Sequence, residues 1–257
     1  MHLRTFRNYS LISLYLAHCL SAVSLPAWAA GPKKENRIAI AGMSRENKDN
    51  YIDAQNFVEE MYKSADSYED YLFEYQMIAF KRGRVVEEGK FYFKKPQQIR
   101  LEETGSFRKG SIAVRGKEGK IKAKAGGGLG FIVVELSPDS GLLRSANGHP
   151  MVESDLTSLA QALRTYVRQG KSLRVTAEPV DYGEDELTEK VHILEVYHDK
   201  DQSDIFKRVT VHPRTKLPLE WWDFEKGKLV SHSRWKSFKG NVGLSDQVFT
   251  IKGEKVQ

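Results

Sequence analysis

The chain has 257 residues, 40% of them apolar and 29% charged, with 8 prolines, a composition that excludes a disordered tail or a collagen-like fibre. A mean hydropathy of −0.51 excludes a polytopic membrane protein, as does the lack of any apolar run of about 18 residues. The formal charge of +6 is spread over Lys and Arg interleaved with acids, as in "KKENR", "KRGRVVEEGK" and "FEKGK", which argues against a nucleic-acid partner.

Residues 1–29 carry a basic start at Arg4 and Arg7, a mostly apolar stretch from Leu11 to Leu25, and Ala27-Trp28-Ala29, which has the A-x-A form. This is the layout of a secretory signal peptide, with cleavage expected near Ala29 and a periplasmic location as the consequence. Cys19 is the only cysteine, and His18 stands before it where a lipoprotein signal needs a small residue, so lipidation is not expected. The mature chain then has no disulfide or thiolate to use, and with Arg4 and Arg7 gone its charge is +4.

Residues 30–48 read as a polar leader, and residues 49–257 as one domain, since no Pro, Gly or Ser linker and no repeat divides them. From Asp49 a helix is expected, capped by Asp49 or Asn50, with Ile52, Ala54, Phe57, Val58, Met61 and Tyr62 on one stripe. A second helix has Ser154 as its expected N-cap, an apolar face of Leu156, Leu159, Ala160, Leu163, Tyr166 and Val167, and Gly170 as its stop. Everything else alternates with period two: strands are expected at 71–80, 89–96, 98–103, 111–116, 120–125 and 130–136. After the second helix they resume at 172–178, 190–197, 206–212, 218–225, 229–238 and 248–251. Short turns such as Lys117-Glu118-Gly119 and Lys226-Gly227-Lys228 make the neighbours antiparallel. About eleven or twelve strands with two helices are too many for a flat sheet and too helix-poor for an α/β fold. A mainly β protein is expected, a strongly curved antiparallel sheet whose concave face the helices cover.

The run "EEGKFYFKKPQQIRLE" at Gly89 resembles the core pattern of the LolA-like lipoprotein-carrier superfamily, in which G-x-L-x-V-K-R-P precedes alternating apolar positions. "FKGNVGLSDQVFTIKGEKV" is similar to that family's closing segment, and "VHPRTKLPLEWWDFEKGKLV" to the hairpin before it. The middle, "LSPDSGLLRSANGHPMVESDLTSLAQAL", looks more like an uncharacterised branch, a domain of unknown function, than like the carrier itself. The likeness spans residues 50–257 and implies an incomplete barrel whose concave face, lidded by helices, encloses an apolar cavity for acyl chains.

The residues agree with that implication. Phe91 and Phe93 share one face with Lys95, Ile99 and Leu101 continue it past Pro96, and Tyr71, Phe73 and Tyr75 alternate on the strand before; these seven apolar or aromatic residues are the candidate cavity lining. Lys95 holds the position before Pro96 where the family has an Arg that latches the lid. Lys95 is therefore the candidate for the cavity mouth, with a flexible point charge in place of a planar fork.

Other constellations fail. Gly126 to Gly130 ("GGGLG") lacks the Lys-Ser or Lys-Thr of a Walker loop, and Asp199 to Asp204 lacks the Gly and Glu of a calcium loop. His149, His192, His198, His212 and His232 are dispersed, so neither a metal nor a cofactor is implied. No nucleophile elbow occurs and no acid pair stands out, so the chain does not read as an enzyme. The reading is an exported binding protein for an acyl chain, an acylated ligand or another lipophilic group, serving lipid or lipoprotein traffic at the envelope and admitting transient membrane contact. The alternative is an interaction or sensor module that recognises an envelope protein on its concave face without transport.

Overall fold

The structure, a computed structural model, describes residues 50–81, 83–183 and 189–253; the expected signal peptide and leader lie outside the described residues. Strand β1 (Tyr51–Asp53) leads into helix α1 (Gln55–Asp66), and then a meander runs through β2 (Asp70–Ala79), β3 (Val85–Lys94), β4 (Gln98–Glu103), β5 (Ile112–Arg115), β6 (Ile121–Lys124) and β7 (Val133–Leu136). Helix α2 (Leu156–Arg168) follows. The remaining strands are β8 (Ser172–Thr176), β9 (Val180–Tyr182), β10 (Glu189–Tyr197), β11 (Ile205–Val211), β12 (Pro218–Glu225) and β13 (Lys228–Gly240). All pair antiparallel in one sheet of order β1-β8-β10-β11-β12-β13-β2-β3-β4-β5-β6-β7, with β9 beside β10. The sheet is open, ending at β1 and β7.

Its curvature follows from what the helices touch. Phe57, Val58 and Met61 of α1 and Ala160 and Leu163 of α2 pack on Val175, Leu194, Val209 and Trp221. Ala65 of α1 and Leu156 of α2 pack with Tyr71, Phe93, Ile99 and Ile121. From β8 to β6 that is ten adjacent strands, which would span roughly 43 Å if flat at about 4.8 Å per strand. A helix pair is only about 20 Å across. The sheet therefore wraps around the pair, and the expected curved sheet with covered concave face is what forms.

Among the described residues thirteen strands occur where eleven or twelve were expected, and three local expectations are corrected. Tyr51 to Asp53 are strand, pairing with Thr176 to Arg174, so Ile52 is not on the helical stripe and is 53% exposed. α1 begins only after Ala54, and the Gln55 N–H donates to Asp53 Oδ1 at 2.8 Å; Asn50 does not cap it, and Asp49 lies outside the described residues. α2 is capped by Asp155, whose carboxylate accepts from the Ser158 N–H at 2.9 Å, because Ser154 is taken up closing the preceding turn, its hydroxyl donating to the Pro150 carbonyl. At the other end Gly170 sits at φ +72°, with its N–H on Val167 O and the Lys171 N–H on Tyr166 O, the pattern that ends a helix on glycine.

The third correction is the expected strand at 248–251. Asp246–Phe249 is a turn of 3-10 helix that lays Val248 and Phe249 on Leu244 and Tyr92, on the convex side of the sheet. Its carbonyls are taken by a side chain: Arg100 Nη1 donates to Val248 O at 3.2 Å and Thr250 O at 2.6 Å.

Candidate functional site

All seven residues expected to line a cavity stand together on the concave face. Register explains it: Tyr71 lies opposite Phe93 and Phe93 opposite Ile99, Phe73 opposite Phe91 and Phe91 opposite Leu101, and Tyr75 opposite Gly89. Directly opposed side chains on one face are neighbours. The rings stack accordingly, Tyr71 on Phe93 at 4.9 Å and Phe73 on Phe91 at 5.0 Å between centroids, with interplanar angles of 20° and 11°. Tyr71, Phe73, Phe91, Phe93 and Ile99 are buried; Leu101 and Tyr75 are half-buried at the edge of the same cluster. These side chains form one cluster beneath the helices.

Two polar contacts tie the helices to this seam. The Leu156 N–H at the start of α2 donates to the Tyr71 hydroxyl oxygen at 2.8 Å. Burial, with the nearby Asp155 carboxylate, pushes that hydroxyl's pKa well above the usual tyrosine range. At the far end of α1, Lys95 Nζ donates to the main-chain carbonyl of Asp66 at 2.6 Å and stands 3.4 Å from Glu69 Oε1. A cation on the last carbonyls of a helix is favoured by its dipole, by about 0.3–1 kcal/mol at an exposed site. The residue singled out as a mouth latch thus touches the helix it would hold.

The sequence reading stopped at the aromatic stripe and missed what lies next to it. Continuing inward positions by twos, β3 runs Phe93, Phe91, Gly89, Glu87, and β4 runs Ile99, Leu101, Glu103. Both acids are buried, at 2% and 6% exposure. The Tyr75 ring crosses Gly89 to donate its hydroxyl to Glu103 Oε1 at 3.0 Å, and a methyl group at position 89 would lie 2.6 Å from that hydroxyl. Glycine is required for the approach. Glu87 Oε2 accepts from the Ala146 N–H at 2.7 Å, while Glu103 Oε2 is buried with no hydrogen-bond donor on it. Burial first, then the Glu87 charge, pushes Glu103 up to about 8; burial raises Glu87 as well. Both shifts run toward the protonated form, so the pair favours holding a proton over carrying two charges side by side. The signal was present in the alternation, since an acid two residues beyond Gly89 and another two beyond Leu101 are inward by the same count.

Beside the pair the concave face stays polar. Asp223 accepts from Ser231 Oγ at 2.6 Å and from Trp221 Nε1 at 3.0 Å, and is ion-paired with Lys207. Burial alone would raise its pKa, but Lys207 and these donors hold it below the usual carboxylate range. Asn147 Nδ2 donates to Ser231 Oγ at 3.3 Å, so the 145–149 turn is pinned at both Glu87 and Ser231. The seam is thus aromatic toward Lys95 and polar toward this turn. Such a surface offers an apolar track with hydrogen-bonding groups at one end.

No family model matches the sequence, and no curated protein does. Solved structures of LolA superfamily and DUF1329 family proteins resemble it. A DUF1329 family protein from Desulfovibrio piger is 14% identical over 77% of this chain and 98% of its own, with a TM-score of 0.39. A LolA superfamily protein from Nitrosomonas europaea is 12% identical over 77% and 98%, with a TM-score of 0.35. A putative outer membrane lipoprotein-sorting protein domain from Vibrio parahaemolyticus is 10% identical over 77% of this chain and 96% of its own, with a TM-score of 0.36. Among the described residues no helix is long and apolar enough to cross a membrane.

Proposed function

We propose that the chain is an exported, non-enzymatic binding protein of the cell envelope that takes an acyl chain, or a ligand bearing one, into the seam between its helix pair and the concave face of its sheet. The observation that carries this is the aromatic array of Tyr71, Phe73, Phe91 and Phe93 beneath helices that two polar contacts attach to it at this end. Each methylene moved from water into such a seam contributes roughly 0.8 kcal/mol, so a long chain binds tightly with few polar contacts. Because these rings are buried beneath the helices, entry requires the helices to part from the sheet, and the contacts that hold them set the exchange rate.

Lys95 gives the test. Its latch is a partly exposed ammonium on the Asp66 carbonyl, with a longer contact to Glu69 Oε1, worth at most about 1 kcal/mol, which corresponds to roughly fivefold in a rate. Lys95→Met should speed exchange of a fluorescent fatty acid by a few fold. Lys95→Arg, whose planar fork can hold the same two acceptors in fixed geometry, should slow it. Stopped-flow displacement measures both. Identical rates in the three proteins, with binding intact, would remove Lys95 from the entry path. Failure of the wild-type protein to bind any fatty acid, together with an acyl-free mass spectrum of protein purified without denaturation, would defeat the reading itself.

A further inference from the structure

The surface changes character where the sheet ends. Phe131 is 80% exposed, Leu142 60% and Leu129 50%, and Ile132, Val133 and Val134 beside them are exposed too. Single exposed apolar residues are ordinary, but six in one place are not. They are in one place because three segments are tied together. A methyl group at Gly126 would collide with the Lys109 carbonyl, so the 125–132 loop lies directly on the 104–110 turn. Arg108 Nη1 in that turn donates to Leu142 O and Arg144 O, both at 2.9 Å, which brings the 141–144 turn to the same corner.

The charge there is as one-sided as the hydropathy. The whole chain is nearly balanced, yet residues 104–136 hold seven Lys or Arg against two Glu. Arg108, Lys109 and Arg144 are exposed on the tied segments, and Lys122 and Lys124 stand on β6 opposite Glu135 and Val133. The tip is built to adapt, with glycine at 126, 127, 128 and 130, and Gly127 at φ +63°.

We propose that this corner docks on an anionic phospholipid surface, with Leu129, Phe131 and Leu142 entering the acyl boundary and the surrounding cations meeting the headgroup phosphates. A protruding apolar tip ringed by cations fits a bilayer, which accepts any convex shape. A second copy would set the same positive corner against itself, along an edge strand of only four residues. The corner lies at the end of the sheet and not in the seam, so the proposal is independent of acyl binding within it.

Protein purified as the cell processes it should float with phosphatidylcholine vesicles that contain phosphatidylglycerol, and not with phosphatidylcholine alone. The association should weaken as salt is raised. Replacing Leu129 and Phe131 by Ser should lower it about tenfold or more at unchanged circular dichroism. Lys122→Glu with Lys124→Glu should cost more than tenfold, since each surface cation contributes about fivefold. Phe131→Trp keeps the tip apolar and adds a reporter whose emission should shift to the blue on adding the anionic vesicles. Absence of flotation, no blue shift, or variants indistinguishable from wild type would overturn the proposal. So would equal binding to soluble polyglutamate that ignores the loss of Leu129 and Phe131, which would make the partner an acidic macromolecule.

Discussion

Raising the pH from about 5 to 9 should destabilise this protein by a few kcal/mol, and Glu103→Gln should remove most of that loss. Glu103 titrates near 8 in the folded chain against 4.5 for an ordinary glutamate. Below 4.5 both states hold the proton and the full contribution to stability is present. Between 4.5 and about 8 the unfolded chain releases it while the folded chain keeps it, so stability falls as pH rises; above 8 both are ionised and nothing more is lost. One pKa unit is about 1.4 kcal/mol, which makes a few kcal/mol the expected size. The groups that face Glu103 are Tyr75 on β2, Glu87 on β3 and Arg108 in the turn after β4. Glu87 is itself raised by burial and adds in the same direction. Glu195, Glu220 and Asp223 are lowered in the folded chain, so their contribution is complete once pH exceeds the ordinary carboxylate range, and it does not change in this window. A Gln at 103 keeps the shape and accepts from Tyr75 without titrating. Urea unfolding across pH reads the result: the variant should match wild type near pH 5 and exceed it near pH 9. Parallel curves for the two proteins would mean that the pair does not hold a proton.

That acid pair also marks the limit of what the sequence could disclose. The aromatic stripe and the second helix were legible because their periods run for many residues: Phe91, Phe93, Ile99 and Leu101 keep period two across Pro96, and Leu156 to Val167 keep a helical face to Gly170. Three-residue strands have no period to detect, which is why β1 and β9 were invisible and Ile52 was drawn into the helix. Val248, Phe249 and Ile251 are the β-branched and aromatic types that strands favour, but a strand also needs a partner. Both edges of β2 are already taken, by β13 and β3, and Arg100 supplies the hydrogen bonds instead. Glu87 and Glu103 were passed over for a different reason. An acid at an inward position contradicts the pattern that identified the face, and only the register that sets Tyr75, Gly89 and Glu103 in one row shows that each has a partner.

The same register separates residues that a ligand would meet from residues that hold the fold. Phe93 is 6% exposed and stacked under Tyr71, whereas Leu101 is half-buried at the margin of the array, next to Ala113 in register. Phe93→Glu should therefore fail to fold at neutral pH. It deletes a ring whose truncation alone costs about 3–5 kcal/mol, and it leaves a carboxylate among aromatic rings without a partner or water. Leu101→Glu should fold cooperatively with a loss of about 1–3 kcal/mol, because a glutamate at the margin can turn its carboxylate toward water or take up a proton. It should nonetheless abolish acyl binding, since a charge at the margin of the track faces the methylenes that would otherwise be desolvated there. Calorimetric titration with a medium-chain fatty acid, alongside circular dichroism melts, decides the case. A well-folded Leu101→Glu protein that binds as wild type does would take the acyl chain out of this seam. A Phe93→Glu protein that folds normally would show that Phe93 faces water-filled space and not the aromatic core, and the entry step through parting helices would then be unnecessary.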